Sequence, residues 1–151
     1  HWFPSLTREG TPAILKSAGN PHCYLILRGG SQTGPNYFPQ NIQAAATDLE
    51  AQQLPASLVV DCSHGNSEKD PARQAQVLSS LAEQIQQGQS AIRGIMLESH
   101  LIYGTQKVIP EHPLTYGQSI TDACLSLDQT EPLMLQLAEA VRGAKHASLP
   151  R

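Results

Sequence analysis

Residues 57–66 read SLVVDCSHGN, a β-branched apolar run that breaks off into an acid, a thiol, a hydroxyl and an imidazole. Such a run suits a strand buried on both faces of a parallel sheet, with its polar residues delivered at the carboxyl end. Three other stretches share this build: HWFPSL at 1–6, CYLILRGG at 23–30 and IRGIMLESH at 92–100. Segments of helical period lie between them, and the alternation predicts an α/β chain of four βα units with a site on one rim. Four units amount to half of an eight-stranded barrel. The expectation is therefore a half-barrel forming a single domain over residues 1–151.

Length and composition set bounds on this reading. With 151 residues the chain can bury one core, yet it is well short of the roughly 250 residues of a complete barrel. Hydrophobic content of 40% against 15% charged argues for a folded domain over a disordered one. A net charge of −3 and the lack of any Lys/Arg-rich run argue against nucleic acid or an anionic membrane as partner. No apolar run has the length of a membrane span, and the start lacks the basic-then-apolar pattern of a secretory signal. Cys23, Cys62 and Cys124 are odd in number and widely spaced, which disfavours a disulfide framework and points to a reducing cytoplasm. His1 stands directly before an apolar run, giving the expectation of a chain cut just ahead of a strand.

The first strand is expected at Trp2–Leu6, with Pro4 a caution because proline cannot donate to a central ladder. The second, Cys23–Leu27, is continuously apolar and ends at Gly29-Gly30. Ile42, Ala45, Ala46 and Leu49 form one stripe of a helix over 40–53, stopped by Pro55. After the third strand, Leu58–Cys62, Asp70 and Pro71 make an N-cap and first-turn pair for a helix whose apolar face is Val77, Leu78, Leu81 and Ile85. Gly88 stops that helix, and the fourth strand follows at Ile92–Glu98. Residues 99–119, broken by Gly104, Pro110, Pro113 and Gly117, are expected to be a long irregular loop. Thr130 is expected to cap a last helix that buries Leu133, Leu137 and Val141, with a frayed tail from Gly143.

Arg28, His64 and Glu98 stand just past strand ends, where ligands of βα folds sit, and Asp122 in QSITDAC could add another oxygen. Imidazole and carboxylates suit a divalent metal, and a guanidinium offers a planar fork for phosphate or carboxylate. Plainer roles stand beside these. His64 could be a hydrogen-bonded structural residue, Glu98 a cap or ion-pair partner, Asp122 the N-cap of a short helix beginning near Ala123, and Arg28 half of a surface ion pair. Ser99 and His100 beside Glu98 do not make a hydrolase triad by spacing alone. Cys23 and Cys124 read as buried apolar residues.

The strings GNPHCYLILRGG, PNY, DCSHGNS, GIMLESHLIYG and PLTYGQSITDAC, in this order over nearly the whole chain, resemble the C-terminal half of class I 3-deoxy-D-arabino-heptulosonate 7-phosphate (DAHP) synthase. The resemblance implies a TIM (β/α)8 barrel of which this chain carries the fifth to eighth strands. It implies a transferase of the shikimate pathway, condensing phosphoenolpyruvate with erythrose 4-phosphate and releasing phosphate on the way to aromatic amino acids. A divalent metal is required, with Mn, Fe, Co and Zn not distinguished. By the same resemblance His64, Glu98 and Asp122 are metal ligands, Arg28 and His64 catalytic, and Arg28 and Asp122 substrate-binding.

The family's early cysteine ligand and its KPRT motif have no counterpart here. Cys62, two residues from His64, falls on a variable position and is not promoted to a ligand. Tyr24 stands where a histidine is frequent, and LSLDQT at 125–130 where GWEDT is usual. Phe3, Ser5 and Leu15 align with positions that line an aromatic amino acid in feedback-regulated members, although ordinary packing of Phe3 and Leu15 is the preferred reading. A row of four βα units would expose two sheet edges and an apolar inner face, so the missing half or a second copy of the chain should cover it, giving a homo-oligomer in the second case. The fragment alone is expected to be inactive. Competing readings are an assembly or regulatory subunit without catalysis, and an unrelated aldolase or hydrolase on the same fold.

Overall fold

In a computed structural model that describes residues 1–20 and 22–147, the chain begins with β1 (Trp2–Leu6), β2 (Pro12–Lys16), β3 (Leu25–Leu27) and α1 (Pro39–Ala51). It continues through β4 (Leu58–Asp61), a 3₁₀ turn at Pro71–Arg73, α2 (Gln74–Gln86) and β5 (Ile92–Met96). Then come β6 (Ser99–His100), β7 (Ile102–Thr105), β8 (Gln118–Ser119), β9 (Leu125–Ser126) and α3 (Leu127–Ala147). The centre is a parallel sheet in the order β3-β4-β5. As the middle strand, β4 buries Leu58 and Val60 completely. Ile42 and Ala46 of α1 and Val77, Leu78 and Leu81 of α2 complete the core, with Leu133 and Leu137 of α3 packed on it. Asp70 caps the 3₁₀ turn leading into α2 by accepting the Ala72 N–H at 3.0 Å, as its place before Pro71 predicts.

The first expected βα unit is a different object. β1 pairs antiparallel with β2, from Trp2 opposite Lys16 to Leu6 opposite Pro12, and this hairpin is a separate sheet. The turn between them is closed by the Thr7 N–H to Thr11 carbonyl bond at 2.9 Å, with Gly10 supplying a positive φ of 82°. Pro4 is tolerated because a two-stranded ribbon leaves each strand one edge without a ladder. The central parallel row thus has three strands where four were expected.

β3 is an edge strand. Leu25 and Ile26 are 41% and 44% exposed, so an apolar run that reads as buried on both faces is covered on one side only in this chain. Cys23 is exposed and Cys124 half-buried, against the expectation for both, while Cys62 lies in the core.

The stretch 99–119 is more regular than its breakers suggest. β6 pairs parallel with β9 and β7 with β8. Gln106 clamps the excursion between them, donating to the carbonyls of Thr115 and Gln118 at 2.7 and 3.0 Å and accepting the Thr115 N–H at 2.8 Å. α3 starts at Leu127, ahead of Thr130, because Ser126 and Gln129 form a capping box: Gln129 N–H donates to Ser126 Oγ at 3.3 Å and Ser126 N–H to Gln129 Oε1 at 3.0 Å. The Thr130 hydroxyl instead lies near the Ser126 carbonyl and Ser99 Oγ, at 2.9 and 2.7 Å. Ala140 is buried where Val141 was expected to be, and Val141 is 37% exposed. The helix runs past Gly143 to Ala147, and the rest of the expected frayed tail lies outside the described residues. No helix among the described residues is long and apolar enough to cross a membrane.

Leu81 is fully buried between α2 and the sheet, whereas Leu135 is 59% exposed on α3. Leu81→Ala is expected to lower unfolding free energy by about 2–5 kcal/mol and Leu135→Ala by about 0.5 kcal/mol or less, as read from urea titrations. Equal effects would contradict this placement of the core.

Candidate metal centre

Two rim loops meet at a pair of glycines. A Cβ on Gly65 would stand 2.4 Å from the Gly30 nitrogen, and one on Gly29, at φ 66°, would stand 2.7 Å from the Gly65 carbonyl carbon, so neither position has room for a side chain. Asn66 ties the loops together. Its Nδ2 donates to the Leu27 carbonyl at 3.1 Å and to the Asp61 carbonyl at 2.8 Å, and its Oδ1 accepts the Asn36 N–H at 2.7 Å. Asn36 in turn accepts the Gly29 N–H at 2.8 Å. The LRGG, PNY and DCSHGN strings therefore join as one backbone network that sets Arg28 beside His64.

His64 leaves β4 in a left-handed turn, φ 50°. Its Nδ1 is 2.7 Å from Asp61 Oδ2 and 2.7 Å from Ser63 Oγ. The opposite nitrogen, Nε2, is 3.5 Å from Glu98 Oε1 and 3.9 Å from Asp122 Oδ2. Donor atoms of the three residues all lie within 4.8 Å of one another.

Glu98 sits past the end of β5, where Gln74, the buried first residue of α2, grips its backbone: Glu98 N–H donates to Gln74 Oε1 at 2.9 Å and Gln74 Nε2 donates to the Glu98 carbonyl at 3.2 Å. Burial pushes the Glu98 carboxyl above its ordinary value; His64 pulls it down, Asp122 and Asp61 push it up, and Arg28 pulls it down. Asp122 lies in the loop between β8 and β9. No helix starts at Ala123, so the capping role for Asp122 has no helix to serve.

Two ligands of one ion held by bonds of about 2.1 Å at tetrahedral angles lie about 3.4 Å apart. The 3.5 Å pair is already there, and the 3.9 Å pair needs only a small closure. One imidazole nitrogen and two carboxylate oxygens are a donor set that fits a divalent cation.

Arg28 shares with His64, Glu98 and Asp122 a cleft of about 220 Å³, and with His64 and Lys69 a wider one of about 610 Å³. Among the described residues Arg28 makes no ion pair, which removes the surface-pair reading. Cys62 stays out of the cluster; burial, with the Asp61 charge adding to it, pushes its thiol up to about 12. Ser99 and His100 make no triad, since His100 Nδ1 accepts the neighbouring Leu101 N–H at 2.8 Å.

Phe3 and Leu15 are register partners across the hairpin, with Ser5 two residues along on the same face. They are 40% and 45% exposed among the described residues. Asp61, Ser63, Lys69 and Gln74 belong to the neighbourhood of the site and were not singled out from sequence. The D-x-S-H spacing at a strand end was the available signal for the first two. Nothing local signals Gln74.

Residues 5–135 match the model of the DAHP synthetase I family, and the chain belongs to that family. It is 48% identical over 141 residues to the Trp-sensitive phospho-2-dehydro-3-deoxyheptonate aldolase of Escherichia coli (strain K12), a match covering 93% of this chain and 40% of that protein. To the tyrosine-inhibited phospho-2-dehydro-3-deoxyheptonate aldolase of Schizosaccharomyces pombe (strain 972 / ATCC 24843) it is 45% identical over 150 residues, covering 96% and 40%. The solved phospho-2-dehydro-3-deoxyheptonate aldolase of Francisella tularensis SCHU S4 superposes with a TM-score of 0.85 at 40% identity, over 95% of this chain and 41% of that one. The chain thus spans about 40% of the length of these curated relatives.

Removing the Asn66 amide would take one donor from each of the Leu27 and Asp61 carbonyls. Asn66→Ala is expected to cost about 1–3 kcal/mol in urea unfolding. Wild-type stability in that variant would contradict its locking role.

Proposed function

We propose that this chain is the C-terminal part of a metal-dependent DAHP synthase, in which His64, Glu98 and Asp122 hold a divalent cation next to the phosphoenolpyruvate site. The observation that carries this reading is His64 Nε2 facing two carboxylate oxygens at 3.5 and 3.9 Å, a concentration of lone pairs that a cation would neutralise. The reaction is the condensation of phosphoenolpyruvate with erythrose 4-phosphate to DAHP and phosphate. When bound, the metal supplies Lewis acidity toward the aldehyde oxygen. Arg28, projecting into the same cleft, offsets the phosphate or carboxylate charge of phosphoenolpyruvate and keeps its reacting carbon in register. Asp122, the most exposed of the three ligands, also borders the substrate. The donor set does not select among Mn, Fe, Co and Zn.

We read the described fold as one domain that completes a (β/α)8 barrel with chain outside it. Support comes from the open outer edge of β3 and from exposed Tyr24, Leu25, Ile26, Ile102 and Tyr103, apolar surface of the kind a partner covers. The partner is either the remaining part of the synthase or a second copy of this chain. Nucleic acid and membrane have no place in this reading, and three free thiols suit the cytoplasm. The shared face of the exposed Phe3 and Leu15 and the half-buried Ser5 supports a regulatory site for an aromatic amino acid. An assembly or regulatory subunit without catalysis is the second reading, and it requires no metal.

Calorimetric titration with Mn²⁺ separates the two. The synthase reading expects binding that His64→Ala or Glu98→Ala weakens by at least about tenfold. Absence of binding to the wild-type chain would contradict it. Phosphate release from the two substrates is expected to be negligible for the chain alone, since the family's cysteine ligand and KPRT motif have no counterpart in it. Turnover like that of a complete enzyme would refute this. Light scattering is expected to show self-association, and a stable, non-aggregating monomer would refute the uncovered-surface reading.

A further inference from the structure

Asp61 does not face the cluster of His64, Glu98 and Asp122, yet it is 2% exposed, and its carboxylate is bonded to Ser63 and His64. We propose that Asp61 is a positioning residue: it holds His64 in the Nδ1–H tautomer and thereby aims the unprotonated Nε2 at the cation site. Its purpose rests on the metal reading above, while its geometry does not.

For a neutral ring the accounting of protons leaves one arrangement. Asp61 Oδ1 accepts the Ser63 N–H at 2.8 Å and the Ser63 hydroxyl at 2.5 Å. With its hydrogen spent there, Ser63 Oγ can only accept from His64 Nδ1, 2.7 Å away. Asp61 Oδ2, also 2.7 Å from Nδ1, is an acceptor as well. Two acceptors at one ring nitrogen require that nitrogen to carry the proton. The reverse tautomer would press the Nδ1 lone pair against a buried carboxylate oxygen at 2.7 Å and gain only a 3.5 Å approach of Nε2–H to Glu98, which is too long to compensate.

Local backbone is shaped to the same end. The left-handed turn at His64, φ 50°, swings the ring back over Asp61 three residues earlier, and the Lys69 N–H to His64 carbonyl bond at 2.8 Å holds the turn. A non-glycine residue in this region carries a conformational cost, which the Asp61 and Ser63 contacts offset. A carboxylate on the far nitrogen also raises the electron-donating power of the near one, as in other carboxylate–imidazole–metal arrangements.

Asp61→Asn is the direct test. Asparagine keeps the size and the oxygen that accepts from Ser63, but turns an N–H₂ toward His64 Nδ1, so the ring must move its proton to Nε2. Histidine ¹⁵N spectra of the metal-free chain, at a pH where the ring is neutral, should show Nδ1–H in wild type and Nε2–H in Asp61→Asn. Mn²⁺ affinity by calorimetry should fall about 10–100-fold in that variant. Ser63→Ala, which leaves the Asp61–His64 bond in place, should keep both the Nδ1–H tautomer and near-wild-type affinity. A wild-type ring protonated at Nε2, or a folded Asp61→Asn with unchanged tautomer and affinity, would overturn the proposal. If Asp61→Asn does not fold, wild type and Ser63→Ala decide: Nδ1–H in both supports the assignment and Nε2–H in either overturns it. A wild type with Nδ1–H that binds no Mn²⁺ sinks the metal reading and leaves the Asp61 assignment standing.

Discussion

The buried amide of Asn66 fixes where Arg28 and His64 stand relative to each other. It spans the end of β3 through the Leu27 carbonyl, the end of β4 through the Asp61 carbonyl, and the loop before α1 through the Asn36 N–H. Each of those bonds gives a backbone group at the rim a side-chain partner, and the loss of such a bond is costly where the group is buried. Gly29 and Gly65 let the two loops approach within the space of a missing methyl group. A guanidinium and an imidazole from different strand ends are thereby held on one rim.

From that anchoring the electrostatics follow. The rim gathers Glu98, Asp122 and the free face of His64 on one side of a cleft and Arg28 and Lys69 around it. Burial makes the charged form of Glu98 costlier, and the Asp122 and Asp61 charges add to that against the pull of His64 and Arg28. Membership of the DAHP synthetase I family and the 0.85 TM-score against a solved family member fit the same picture.

Much of this was readable in the sequence where one segment determines its own structure. The stripe Ile42, Ala46 and the pair Asp70-Pro71 specify α1 and the entry to α2 by period and capping alone. The bounds of β1 are local, but its pairing depends on what lies across the turn, and TREGT at 7–11 closes a hairpin where a βα unit is expected. The run Cys23–Leu27 reads as fully buried, and its exposure in β3 belongs to an edge with no neighbour among the described residues. The Ser126–Gln129 capping box competes with Thr130 for the start of α3 and wins because both of its bonds form. Arg28, His64, Glu98 and Asp122 were legible from rim position and resemblance, whereas Gln74 acts through contacts between α2 and the end of β5 that no local spacing encodes.

The most direct test of the central claim is an anomalous-difference map from crystals of the protein grown with Mn²⁺. The account predicts one strong peak bounded by His64 Nε2, Glu98 and Asp122. A map with no peak there, or with those three side chains turned apart and the ion held elsewhere, would contradict it.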